Sequence, residues 1–168
     1  MKKIIFGVIL LIMLATLSTC KTSNKNKIDF DVQYLRTSKH EISTPITTVI
    51  NSKDKLDQYY EDACPNYYYP DENVDYYAAI FMDAIEKYTD EFFVDYFLVI
   101  VLLNEESGSI RHEVEKVDEH GDIIINRLLP GKGIQMTGDL AEWHIIIELN
   151  RNFYLEKFTA KIIDKMIS

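Results

Sequence analysis

The stretch 97–103 (FLVIVLL) constrains the fold of this chain more than any other segment. It is an unbroken run of seven apolar residues, several of them β-branched, and the turn-forming segment 104–109 (NEESGS) follows it. The run is short for a helix and far too short to cross a membrane, so it predicts a strand that is buried on both faces. Such a strand lies in the middle of a sheet and carries helices on at least one face.

The segments around this strand predict an α+β fold, with a mostly antiparallel sheet of about five or six strands and two helices inserted between the early and the late strands. Helical spacing of apolar residues predicts one helix after Asn51-Ser52 and a second helix that ends near Tyr88. The later strands are expected to form a meander in which 109–117 pairs back on the central strand. The final strand could equally be a helical end. The other predicted strands are 28–34, 46–50, 123–129, 142–150 and 158–163.

The N-terminus has the features of an export signal. Lys2 and Lys3 precede an apolar segment at 4–17, which is too short for a stable transmembrane helix. The sequence Leu17-Ser18-Thr19-Cys20 resembles the lipobox of bacterial lipoproteins, in which the cysteine is acylated, for example with palmitate, and becomes the mature N-terminus. Residues 1–19 are therefore predicted to be a lipoprotein signal peptide. The alternative is an ordinary secretory peptide that contains a coincidental cysteine.

Composition limits the partners of the mature chain. Loss of the two signal-peptide lysines would change the formal charge from -9 to -11, and a surface this acidic repels nucleic acid. We expect a polar tether at 20–27, a single domain at 28–168, and attachment through the lipid to the extracytoplasmic face of the bacterial cell membrane. If Cys20 is acylated, Cys64 has no partner for a disulfide within the chain.

Two motifs carry a resemblance to a known family. They read Glu106-Ser107-Gly108-Ser109-Ile110-Arg111-His112-Glu113-Val114 and Glu142-Trp143-His144-Ile145-Ile146-Ile147-Glu148. Together with the step from strand to helix at 49–56, they resemble uncharacterised bacterial lipoproteins and the C-terminal domain of the PrcB type, named for a lipoprotein subunit of a spirochaete surface protease complex. The resemblance covers about residues 46–150. It implies a non-catalytic accessory or binding domain of the cell envelope.

The same motifs contain the polar side chains that are best suited to metal binding or acid/base chemistry. By strand parity, Glu142, His144 and Glu148 share one face, opposite Trp143. If that face coincided with the outer face of the strand that carries Arg111 and Glu113, His144 and two carboxylates could form a metal site or an acid/base pair. The alternative is a solvated face with cross-strand ion pairs. We expect the hairpin strand to separate the two strands, and therefore no metal. His112 has inward parity and is predicted to be partly buried.

A second candidate surface is aromatic. Seven of the eleven tyrosines lie between residues 59 and 77, and Tyr67, Tyr68 and Tyr69 sit between two prolines. Tyrosines beside carboxylates are common on surfaces that bind sugars or peptides. The alternative is that several of them pack over the helices.

These observations favour a binding or accessory domain that contacts another envelope or secreted protein through residues such as Arg111, His144 and Glu148. We expect no cofactor, because no phosphate-binding loop or nucleophile motif is present. A carbohydrate- or small-ligand-binding lipoprotein that uses the tyrosine loop is the second hypothesis. A hydrolase with a His/carboxylate site is the third.

Overall fold

The structure, a computed structural model, describes residues 27–37, 44–63, 76–131 and 133–167. The strands in these ranges are β1 (Phe30–Thr37), β2 (Ile46–Ile50), β3 (Tyr96–Glu105), β4 (Arg111–Val117), β5 (Asp122–Leu129), β6 (Ala141–Asn150) and β7 (Thr159–Met166). The helices are α1 (Lys53–Ala63), α2 (Tyr76–Ile85) and α3 (Phe92–Asp95), and a 3-10 helix spans Arg151–Phe153. The predicted class, α+β with mostly antiparallel sheet, is confirmed.

β3 is the central strand that the apolar run predicted. It pairs antiparallel with β6 and with β2 in a four-stranded sheet of order β1-β6-β3-β2. Its residues from Phe97 to Leu103 are all buried. Helices cover one face of this sheet, and a second sheet of order β4-β5-β7 covers the other. The described part of the domain therefore has three layers around two apolar cores.

The helix layer begins where the sequence predicted a cap. The backbone N–H of Lys55 donates to Oγ of Ser52 at 3.3 Å in the first turn of α1. The apolar residues of α1, α2 and the short α3 then pack on the four-stranded sheet. The buried members of this core are Leu35, Ile50, Leu56, Phe81, Ile85, Tyr88, Phe93, Leu98, Ile100 and Ile146.

The predicted pairing of 109–117 with the central strand is wrong. β4 instead crosses to the second sheet and pairs with β5 through the predicted hairpin, where Gly121 adopts a φ of 83°. The burial of each strand explains the difference. Residues of β4 alternate between exposed and buried, which suits an outer sheet. β6 is buried on both faces over most of its length and takes the place beside β3.

The last segment forms a strand rather than a helical end. β7 runs parallel to β5, so the second sheet is mixed. The edge of this sheet at β4 is joined to the four-stranded sheet near β1: the N–H of Ile28 donates to the carbonyl of Val117 at 3.0 Å. At the other edge, β7 lies near β2. The two sheets thus enclose a sandwich core between them.

Strand register defines two ends of the sandwich. At one end, which we call the tether end, β1 begins and β6 ends, and Phe30 lies opposite Leu149. The loop end lies at the other side, where Glu105 is opposite Ala141 and Leu129 is opposite Met166. The ten residues of β6 separate the two ends by about 30 Å. Within the described ranges, no helix is both long and apolar enough to pass through a bilayer.

Candidate functional site

Several predicted residues lie outside the part of the chain that the structure describes. They are the lipidation candidate Cys20, the tyrosines Tyr67, Tyr68 and Tyr69, and Cys64. The remaining candidates, Arg111, His144 and Glu148, fall at three different places in the fold.

His144 is buried, and the hypothesis of a solvated sheet face around it is wrong. Only 1% of its surface is exposed, because α1 and α2 cover this face of β6. Its Nδ1 lies 2.9 Å from the hydroxyl of Tyr59 on α1, and its Nε2 lies 3.2 Å from Oε1 of Glu142. The ring of Phe81 meets the imidazole edge-on, with 5.0 Å between ring centroids. His144 thus joins the sheet to both helices.

The hydrogen bonds of this cluster form a chain. Thr37 donates to Glu142 at 3.1 Å, and the hydroxyl of Tyr59 donates to His144 when the imidazole donates from Nε2 to the carboxylate. Burial raises the pKa of Tyr59, and the nearby charge of Glu142 raises it further. A phenol that keeps its proton is a stable donor in this chain. The cluster lies between layers, where it joins α1 to β6.

The metal hypothesis requires neighbours that the fold keeps apart. Glu113 lies on the outer face of the second sheet, where its carboxylate is 3.5 Å from Nζ of Lys165. His144 lies in a different sheet and faces the helices. Among the described residues, no three His, Cys, Asp or Glu side chains are grouped in a way that could hold a metal ion.

A second buried ionic cluster lies between the two sheets near the loop end. Both the Nε and an Nη of Arg127 donate to Glu105, at distances of 2.7–3.0 Å, and His112 Nε2 is 2.9 Å from the same carboxylate. His112 is buried, as its parity predicted. Burial by itself raises the pKa of Glu105, but the hydrogen bonds from His112 and Arg127 hold it below its usual value. Sequence analysis missed Glu105 and Arg127, since no local pattern signals an ion pair between two sheets.

Arg111 is exposed at the edge of this region. Its guanidinium lies over the ring of Trp143, 5.4 Å from the centroid, and it also donates to the carbonyl of Ile110 at 3.2 Å. These contacts hold it flat against the domain. It lies on neither the His144 cluster nor the cavity described next.

Glu148 faces a surface cavity at the tether end. Lys87 Nζ and the hydroxyl of Tyr88 contact its Oε1 at 2.6 and 2.8 Å. The cavity has a volume of about 360 Å³ and combines three carboxylates with three aromatic rings. Its lining residues are Asp29, Phe30, Asp31, Tyr96, Glu148, Asn150 and Phe153. Sequence analysis identified only Glu148 here, because the other residues come from distant segments whose meeting depends on strand register.

Exposed apolar side chains gather at the loop end. The loop between β5 and β6 carries Ile134, Met136 and Leu140, which are 65%, 45% and 55% exposed. Beside it, β7 ends at Met166, which is 61% exposed, and is followed by Ile167, which is 47% exposed. We call these five residues the apolar end. Large exposed apolar side chains that are grouped in this way are typical of interaction sites.

Polar contacts hold the loop of the apolar end in place. The N–H of Gly108 donates to the carbonyl of Asp139 at 2.8 Å, and Arg36 forms an ion pair with the Asp139 carboxylate. Ser107 and Thr137 share a hydrogen bond of 3.0 Å. A Cβ on Gly108 would meet the side-chain ends of Arg36 and Asp139, which would then have to move away from the turn. The apolar side chains are thus presented from an ordered loop.

Comparisons with known proteins add no assignment at this point. No family model, no curated protein and no solved structure matches the chain.

Proposed function

We propose that this chain is a lipid-anchored, extracytoplasmic domain that binds another envelope or secreted protein and performs no catalysis of its own. The observation that carries the proposal is the position of the apolar end. It lies about 30 Å from the tether end, where the chain enters the domain at Lys27. A lipid at Cys20 would therefore leave the apolar end directed away from the membrane, where it is accessible to a partner.

The locations of the ionisable groups support binding over catalysis. The His144–Glu142 and His112–Glu105 pairs, at 3.2 and 2.9 Å, are buried between layers, and each of the four side chains is less than one tenth exposed. A general acid or base must reach a substrate. Glu148 faces a cavity, but its Oε1 is already engaged by Nζ of Lys87 and by the hydroxyl of Tyr88.

The resemblance to PrcB-type domains supports an accessory role, since it was recognised on the motifs that build β4 and β6. The turn at Ser107-Gly108-Ser109-Ile110 differs from the Thr-Gly-Gly-Tyr that is usual in that family. Here it fixes the loop of the apolar end instead. We therefore expect the partner surface to be particular to this chain.

A carbohydrate- or small-ligand-binding lipoprotein remains the second candidate. The tyrosine loop that suggested it lies outside the described residues. The feature that favours it is the cavity around Glu148, because three rings and three carboxylates meet there.

Site-specific photocrosslinking in intact cells tests the first candidate. A photoreactive residue would replace Ile134 at the apolar end or, as a control, Val94 in α3. Val94 is 68% exposed against 65% for Ile134, but it lies at the tether end. We expect a discrete adduct with another protein from position 134 and none from position 94.

A second variant tests whether the adduct depends on the apolar end. Met136→Asp should remove the adduct from position 134, because a carboxylate in a desolvated interface is costly. Equal labelling from both positions, or an adduct that persists in the Met136→Asp variant, would contradict the proposal. An adduct with twice the mass of the chain would contradict binding of another protein and would indicate that this chain associates with itself.

A further inference from the structure

The cavity around Glu148 has a chemical character that protein binding at the apolar end does not use. It combines negative charge with the faces and edges of aromatic rings, and this combination recognises organic cations. The ring of Phe92 stacks on Tyr96, with centroids 5.3 Å apart, and so fixes the direction of the tyrosine ring. Tyr96 and Phe153 are each 42% exposed, although both line a concave surface.

Two lysines of the chain already make the contact that such a ligand would make. The ammonium of Lys27 lies 5.9 Å from the centroid of Phe30, and that of Lys87 lies 4.9 Å from the centroid of Tyr88. Lys87 also pairs with Glu148 at 2.6 Å. The cavity is thus bordered by ammonium groups that are placed on rings and beside a carboxylate.

The remaining charge of the cavity is negative. Three carboxylates line the cavity, and two ammonium groups, those of Lys27 and Lys87, border it. Lys87 pairs with Glu148, whereas within the described ranges neither Asp29 nor Asp31 forms an ion pair, and both are exposed. Burial raises the pKa of Tyr88, and the carboxylates of Glu148 and Asp31 raise it further.

The alternatives to an organic cation fit less well. An anion would be repelled by the carboxylates. A metal ion needs several ligands at short range, and among the described residues no such group exists. A second cavity of about 370 Å³, lined by Lys53, Met82, Asp83, Ile85 and Glu86, also contains two carboxylates but has no ring in its lining.

We infer that the cavity around Glu148 binds a small organic ammonium ion, such as a quaternary ammonium ion or a protonated primary amine. The residues that form this cavity are Asp29, Phe30, Asp31, Tyr96, Glu148, Asn150 and Phe153. The ammonium lies over the rings of Tyr96 and Phe153, and Asp31 supplies the counter-charge. A free solute and the head group of a lipid share this chemistry. The inference does not depend on the apolar end, because the cavity lies at the opposite end of the domain.

Nuclear magnetic resonance titration of the full mature chain in non-ionic detergent tests the inference. The probes are choline and its neutral isostere 3,3-dimethylbutan-1-ol, followed with labels on tyrosine and phenylalanine rings. We expect saturable shifts of the Tyr96 and Phe153 signals with choline, and none with the neutral isostere. Shifts of equal size with both probes, or no saturation with choline, would overturn the inference.

Variants locate the site and keep the test independent of folding. Asp31→Asn and Tyr96→Ala should each weaken choline binding by about three- to tenfold, since each removes one attraction that is worth roughly 0.7–1.4 kcal/mol. Asp54→Asn, an exposed carboxylate on α1, should leave binding unchanged. All three variants should retain a cooperative melt. Unchanged affinity in both cavity variants would place the choline elsewhere and contradict the inference.

Two further probes distinguish the sources of the ligand. Glycerophosphocholine and glycerophosphoethanolamine carry the head groups of common lipids without their acyl chains. Tighter binding of either one than of choline would indicate a lipid head group. Tighter binding of choline than of either head-group compound would indicate a free solute.

Discussion

The hydroxyl of Tyr59 lies 2.9 Å from Nδ1 of His144, so a polar side-chain contact joins α1 to the face of β6. On its other side, His144 reaches Glu142, which in turn accepts from Thr37 of β1. One helix and two strands are therefore connected by four polar side chains. These side chains lie at the boundary of the helix core, where an unpaired polar group would be expensive.

Tyr59→Phe tests this connection. The change keeps the ring but leaves Nδ1 of the buried His144 without its donor, so we expect the free energy of unfolding to fall by about 1–3 kcal/mol. Urea denaturation measures the loss. Tyr96→Phe is the matched control, since Tyr96 is 42% exposed, and it should change stability by less than about 0.5 kcal/mol. Equal effects of the two changes would mean that the contact contributes nothing.

Glu105→Gln should make stability depend less on pH. The folded pKa of Glu105 lies below its ordinary value of 4.5, so its contribution is fully present above about pH 4.5 and is lost as the pH falls through the folded pKa. At pH 7 we expect the variant to lose about 1.5–3 kcal/mol, because charged hydrogen bonds to His112 and Arg127 disappear.

Urea denaturation at pH 7 and at pH 3 measures this difference. The difference in the free energy of unfolding between the wild type and Glu105→Gln should be smaller at pH 3 than at pH 7. Glu113→Gln provides the control, because the Glu113 side chain is 56% exposed in its pairing with Lys165. If this difference in the free energy of unfolding is the same at both pH values, the charge of Glu105 does not stabilise the fold.

Val101→Asp should prevent folding. Val101 is fully buried in β3 and belongs to the core between the two sheets. An unpaired carboxylate there costs several kcal/mol, against a typical total stability of about 5–15 kcal/mol. Val94→Asp, at a position that is 68% exposed, should yield soluble protein with a melting temperature close to that of the wild type. A cooperative melt of Val101→Asp near the same temperature would contradict the central position of β3.

Cys20→Ala tests the anchor. If the thiol of Cys20 carries the lipid, the variant should leave the membrane fraction or accumulate with its signal peptide attached, because the predicted anchor is a single thioether at this residue. Membrane fractionation and gel mobility detect both outcomes. Fractionation and mobility identical to those of the wild type would rule out lipidation at this residue.

Local patterns in the sequence were sufficient to predict much of the fold. The apolar run identified β3 as buried on both faces, alternation in 142–150 placed Trp143 and His144 on opposite faces, and His120-Gly121 marked the hairpin. Each of these features depends on neighbours within a few residues, because side-chain direction repeats every two residues in a strand. The pattern therefore reports which face of an element is buried.

Only the tertiary structure decided what covers each face. Parity placed His144 opposite Trp143, but the packing of α1 and α2 determined that it is buried against Tyr59 instead of solvated. Three other features depend on contacts between segments far apart in the chain. They are the crossing of β4 to a second sheet, the Glu105–Arg127 pair and the cavity around Glu148. Such contacts form because three layers bury their apolar faces together, and the periodicity of a single segment carries no information about its partner.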